Sequence, residues 1–235
     1  MKTFRVATAA VLVTLLLSGA GRADADPKQA DARPLFSRQN QAGVRLGVWN
    51  HGGADVPDSI GITVNDEATG GSVMTNLKSA SFYLEGFYLY RFNAMLAMEF
   101  AGGTINRGSV TITDSSGRSD IGNLILYPIT VQARYFPLVL GGKIHPWVSG
   151  GIGMYVGRRT VQFTDSPYFD SNWKQETEVD FTYVLSAGFD WPLADQVGLD
   201  FQTKFMPINF DKRLLTINDY SAIAVTVGIK YLYGK

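Results

Sequence analysis

Residues 81–91 read Ser81-Phe82-Tyr83-Leu84-Glu85-Gly86-Phe87-Tyr88-Leu89-Tyr90-Arg91, and both charges fall on one side of a two-residue alternation. Successive side chains of a strand point to opposite faces. One face therefore carries Tyr83, Glu85, Phe87, Leu89 and Arg91, and the other Phe82, Leu84, Gly86, Tyr88 and Tyr90. The stretch from Phe181 to Trp191 divides in the same way. Phe181, Tyr183, Leu185, Ala187, Phe189 and Trp191 form an apolar face against Thr182, Val184, Ser186, Gly188 and Asp190. Eight stretches of the chain behave like this. In a barrel surrounded by lipid the polar set points inwards and the apolar set outwards, whereas a soluble sandwich hides its apolar face. The start of the chain decides between them.

Lys2 and Arg5 make a basic beginning, Val6 to Leu17 an apolar run, and Ala23-Asp24-Ala25 a small-residue cleavage site. This is the form of an export signal, with cleavage expected after Ala25. The run is shorter than the roughly 20 residues that a spanning helix needs, and no later segment approaches that length. The chain contains no cysteine, which removes lipoprotein attachment, disulfides and thiolate metal sites. What remains is a soluble periplasmic protein or an outer-membrane barrel.

The 235 residues are 46% hydrophobic and 12% aromatic, with 25 glycines, and the formal net charge is zero. Loss of the leader removes Lys2, Arg5 and Arg22 together with Asp24, which leaves the mature chain at about −2 and without a basic stripe. Nucleic acid is excluded as a partner on that balance. The expected organisation is a signal peptide over 1–25, a periplasmic tail over 26–42 and a barrel over 43–235.

Strands are expected at Gly43–Trp49, Ser81–Arg91, Ala94–Ala101, Leu124–Phe136, Pro146–Gly157, Asp180–Trp191, Val197–Met206 and Ala222–Tyr233. The connections alternate. Those at Phe92-Asn93, Pro137–His145 and Pro192–Gln196 are short, and those at Asn50–Ala80, Gly102–Asn123, Arg158–Val179 and Pro207–Ser221 are long. The fold class is thus all-β, an eight-stranded antiparallel transmembrane up-and-down barrel. Short turns and both termini face the periplasm, and long loops face the exterior. Whether the long first loop adds a further hairpin is open. Outward aromatics gather at two depths, as interfacial girdles do: Tyr90, Tyr135, Trp191 and Tyr233 at the short-turn ends, and Phe82, Phe100, Tyr127, Phe181 and Phe205 near the opposite ends.

Inward positions carry Arg45, Glu85, Arg91, Glu99, Arg134, Asp180, Asp190, Asp200, Lys204 and Lys230. Eight strands leave an interior just wide enough for side chains. Buried charges there must pair, so these residues are expected to close the lower lumen, with Asp200–Lys230 the preferred pair. Higher up, Trp49, Tyr83, Leu124, Leu126, Tyr155, Met206, Ala222 and Ala224 face inwards. They line either an apolar pocket open at the top, fit for a small hydrophobic ligand, or simply a packed interior. Pro128 is placed near the start of its strand, where a missing N–H is tolerated.

Tyr127-Pro128-Ile129-Thr130-Val131-Gln132-Ala133-Arg134-Tyr135-Phe136-Pro137, followed by His145-Pro146-Trp147-Val148-Ser149-Gly150-Gly151-Ile152-Gly153, resembles the outer membrane protein W family and the small-barrel superfamily around it. Thr226 to Tyr233 resembles the insertion signal read by the barrel assembly machinery, with Gly234 and Lys235 added beyond the usual terminal aromatic. The resemblance implies an eight-stranded barrel with a hydrophobic lumen that passes small hydrophobic compounds sideways into the membrane. Its partners are then outer-membrane lipids, the assembly machinery and a small hydrophobic ligand.

Only His51 and His145 offer a base of ordinary neutral-range pKa, and they fall at opposite ends of the strands. The chain also lacks the His-x-Ser pattern of lipid A deacylase barrels. No enzyme, cofactor or metal site is expected. Surface binding through the long loops and a purely structural barrel stand as alternatives to the small-molecule conduit.

Overall fold

A computed structural model describes residues 40–51, 60–61, 72–77, 80–114, 117–137, 144–162, 173–214 and 217–233. The expected leader, and the tail as far as residue 39, lie outside them. Eight antiparallel strands form the wall: β1 (Asn40–His51), β2 (Ala80–Arg91), β3 (Leu96–Asp114), β4 (Gly117–Tyr135), β5 (His145–Gln162), β6 (Trp173–Ala194), β7 (Val197–Met206) and β8 (Ala222–Tyr233). Each pairs with its neighbours in sequence, and β1 pairs with β8 from Asn40↔Tyr233 to His51↔Ala222, so the sheet closes on itself. Closure leaves no free edge along the barrel.

The alternation read from the sequence is the alternation of burial. Along β8, every residue from Ala222 to Leu232 at even number is buried, and every odd one from Ile223 to Tyr233 is exposed. Phe181 is 73% exposed while Arg45 and Lys204 are 0% exposed. An apolar exterior around a charged interior is stable against hydrocarbon, where a charge on the outside is costly and the closed ladder satisfies the backbone.

At the turn end, connections are tight. Asn93 Oδ1 accepts the N–H groups of Met95 and Leu96, both at 2.8 Å, which holds the β2–β3 turn in place. β6 continues to Ala194 and leaves a two-residue turn, Asp195-Gln196, before β7.

At the loop end, three of the expected long loops are largely strand. β3 runs to Asp114 and β4 starts at Gly117, and β5 and β6 extend to Gln162 and from Trp173. The first long connection does add strands: Ile60–Gly61 pairs with Ser72–Leu77, which in turn pairs with β3 from Gly108 to Thr113. The connection between β7 and β8 holds a small hairpin, Asn209–Leu214 with Ile217–Asp219. Polar, turn-rich composition conceals these extensions, because strands beyond the apolar belt need no outward apolar residues.

Two expectations change with the longer strands. Phe100 lies opposite Tyr88, two residues from Tyr90, so it sits well down the barrel wall instead of near its far end. Pro128 lies in the middle of β4, not at its start. The β3–β4 ladder runs to Gly102↔Ile129 and resumes at Ile105↔Leu126, omitting the two rungs between, where Pro128 has no N–H to give. On its other side β4 pairs without interruption, Pro128 lying opposite Tyr155 of β5.

Candidate functional site

The interior divides into a charged layer towards the turn end and an apolar layer towards the loop end. Arg45 from β1 is the hub of the charged layer. Its guanidinium donates to Glu85 of β2 at 2.5 Å, to Glu99 of β3 at 2.7 Å and to Asp200 of β7 at 2.6 Å. Five N–H donors in a fixed fork allow one side chain to serve three carboxylates. Its stem crosses Gly228, where a Cβ would lie 2.6 Å from Arg45 Cγ, so only glycine lets the hub approach the β8 backbone.

Arg134 of β4 completes the layer, donating to Glu99 and, at 2.9 Å, to Asp200. Lys204 pairs with Glu85, and Lys230 with Asp190, which also accepts the Trp147 indole N–H at 3.0 Å. Arg91 Nη2 lies 3.7 Å from Asp190. The expected Asp200–Lys230 pair is therefore replaced: Asp200 serves the two arginines and Lys230 serves Asp190. Both Asp200 oxygens are engaged, Oδ1 by Arg45 and Oδ2 by Arg134, and Lys230 turns to Asp190, which lies opposite Asp200 on β6. Asp180 leaves the set, half-buried further up β6, where it accepts the Asn209 N–H at 2.9 Å.

Aromatic rings underlie the arginines. Arg45, Arg134 and Arg91 stand over Phe87, Trp147 and Phe136 at 3.6, 3.6 and 3.9 Å from the ring centroids. Such contacts contribute about 0.5 to 2 kcal/mol each. Gln132 was not singled out in the sequence, yet it accepts from Ser149 at 3.0 Å and Ser186 at 2.7 Å, and its amide faces Glu99 at 3.4 Å. Inward parity on β4, β5 and β6 was the signal for these three residues.

The apolar layer assembles Trp49, Tyr83, Leu124, Leu126, Tyr155, Met206, Ala222 and Ala224 as expected, and adds Ile105, Val184, Ile208, Phe210 and Tyr220. None of these is more than 1% exposed. The pocket is thus not open at the top. The segment after β7 folds inwards, Tyr220 N–H bonding to the Ile208 carbonyl at 2.8 Å and its ring meeting Phe210 edge-on at 5.5 Å. An apolar ring left open would be wetted, and covering it removes that cost. Tyr83 joins the two layers, its hydroxyl donating to Glu85 and its ring standing edge-on to Trp49 at 5.8 Å.

Beside this layer lies the interrupted ladder. Outside it is a groove of about 360 Å³ lined by Leu84, Gly86, Gly102, Gly103, Thr104, Tyr127 and Ile129. A Cβ at Gly86 or Gly102 would meet nothing within 4 Å, so the missing side chains form the floor of the groove. On the inside the Tyr83 ring covers Gly103, 2.6 Å from where a Cβ would stand. His51 and His145 are buried at opposite ends of the barrel, too far apart for a common centre.

No protein-family model and no curated protein matches the sequence. Among solved structures, the outer membrane protein OprG from Pseudomonas aeruginosa is similar with a TM-score of 0.52 at 14% identity, covering 85% of this chain and 97% of that one. Neisserial surface protein A gives 0.48 at 13% identity over 83% and 97%, and Ail of Yersinia pestis 0.46 at 11% over 84% and 98%. The likeness to OprG is one of fold, and it identifies the architecture as that of a small outer-membrane barrel.

Proposed function

We propose that this chain is a non-enzymatic outer-membrane barrel, akin to the outer membrane protein W family, that admits small hydrophobic molecules through its side wall and conducts no ions along its axis. The supporting observation is the two-rung interruption at Gly103-Thr104 and Tyr127-Pro128, with an apolar groove outside it and the apolar layer inside. An axial route meets the salt-bridged layer, where moving an ion past fully paired charges is costly. On a sideways route the Tyr83 ring and the Leu84 carbonyl stand over Gly103. In this reading the long loops face the exterior, the termini lie in the periplasm, and β8 carries the signal for the assembly machinery over 226–233. No cofactor is involved.

The test is Pro128→Ala, which returns an N–H to the middle of β4. Uptake of a small aromatic hydrocarbon into vesicles holding the refolded protein should fall towards that of protein-free vesicles, while heat modifiability is unchanged. Uptake equal with and without the barrel would remove the conduit. A second reading, binding at the cell surface, draws on the β3–β4 hairpin, whose strands continue to Asp114 and from Gly117 beyond the apolar belt.

A further inference from the structure

Arg107 projects inwards from β3, two residues beyond Ile105 and next to the apolar layer. Its side chain is 0% exposed, and among the described residues none of its three guanidinium nitrogens has a hydrogen-bond partner. Every charge in the layer below is met by an opposite one, so this guanidinium stands apart. Other polar atoms of this end of the barrel are idle as well. Trp49 Nε1 and Ser81 Oγ, on residues opposite each other in β1 and β2, are buried without partners, as is His51 Nδ1. The His51 and Tyr220 rings, both within electrostatic reach of Arg107, meet edge-on at 6.5 Å. Asp219, which acts on His51, has Oδ1 engaged by the Ser221 N–H at 2.9 Å.

A buried guanidinium with no hydrogen-bond partner among the described residues is a costly arrangement that a bound anion relieves. The planar fork matches a carboxylate with two parallel hydrogen bonds. Beneath it lie Ile105, Leu126 and the adaptable Met206. Thr104, on the interrupted stretch of wall, is three residues back along β3, about 10 Å at the rise of a strand.

We infer that the apolar layer receives amphipathic organic acids, the carboxylate held by Arg107 and the apolar tail lying towards the interrupted wall. This rests on the reading that small apolar molecules enter there, and it specifies their chemical class.

The full refolded protein in zwitterionic vesicles, above the carboxylate pKa, is titrated calorimetrically with decanoate, 1-decanol and acetate against protein-free vesicles. Decanoate should bind saturably and about tenfold or more tighter than 1-decanol, the difference expected of one charge-assisted contact. Arg107→Gln should erase that preference and leave 1-decanol binding unchanged, and Arg107→Lys should restore part of it. Without ligand, Arg107→Met should raise the urea midpoint, since it removes an unpaired buried charge. Equal affinity for decanoate and 1-decanol, insensitive to Arg107→Gln, would overturn the acidic head and leave the apolar conduit standing. Saturable binding of neither would overturn both. Acetate binding as tight as decanoate would overturn the amphipathic class, and a lowered urea midpoint for Arg107→Met would show that the guanidinium is already partnered.

Discussion

Replacing Arg45 by methionine tests whether the charged layer is a single cooperative network. The substitution keeps a long flexible stem and removes a guanidinium that reaches Glu85, Glu99 and Asp200 at 2.5, 2.7 and 2.6 Å. Breaking one buried ion pair by deleting a partner costs about 3 to 5 kcal/mol. Three pairs go at once, but the cost is not threefold. Glu85 keeps Lys204, and Glu99 and Asp200 keep Arg134. The stacking on Phe87 adds no more than about 1 kcal/mol, because a methionine sulfur retains part of the contact. The total is therefore about 3 to 6 kcal/mol, read as a shift in urea unfolding in lipid vesicles. Adding Glu85→Gln should cost less than its effect in the parent protein, with a coupling of about 1 to 3 kcal/mol, because Arg45 and Glu85 share a contact. A loss below about 1 kcal/mol for Arg45→Met, or costs that simply add, would refute the network as described.

Leu185, outward on β6 and opposite Gly150, should tolerate arginine poorly, at about 2 to 4 kcal/mol near the bilayer midplane, whereas neighbouring Ser186→Ala loses one hydrogen bond to Gln132 and about 1 kcal/mol. Equal unfolding shifts for the two would reverse the assignment of inside and outside. Ser186→Arg should fail to fold, since its inward site is opposite Lys204 in a filled interior. For sidedness, cysteines at Asn106 and Asn209 should react with an impermeant maleimide on intact cells, and cysteines at Asn93 and Asp195 should not. The opposite pattern would place the barrel upside down.

Parity was enough to sort inward from outward on all eight strands, because the direction of a side chain is a property of the strand's own backbone. It also supplied Arg45, Glu85, Glu99, Arg134, Asp190, Asp200, Lys204 and Lys230, and the apolar set around Trp49 and Met206. Continuing the same count past Ala101 finds Arg107 as well, but the polar composition of 102–123 reads as loop and stops the count too early. Strand length outside an apolar belt leaves no hydrophobic signature.

Everything that depends on depth around the ring had to come from the tertiary structure. Arg45 meets Asp200 across 155 residues of sequence, and Lys230 turns to Asp190 because two arginines from other strands already occupy both oxygens of Asp200. The same holds for the inward fold of Tyr220 over the apolar layer, and for Pro128, whose missing N–H matters only because β3 continues far enough to lie beside it. A sequence determines what each residue offers and to which side. Closure of the barrel determines what each one meets.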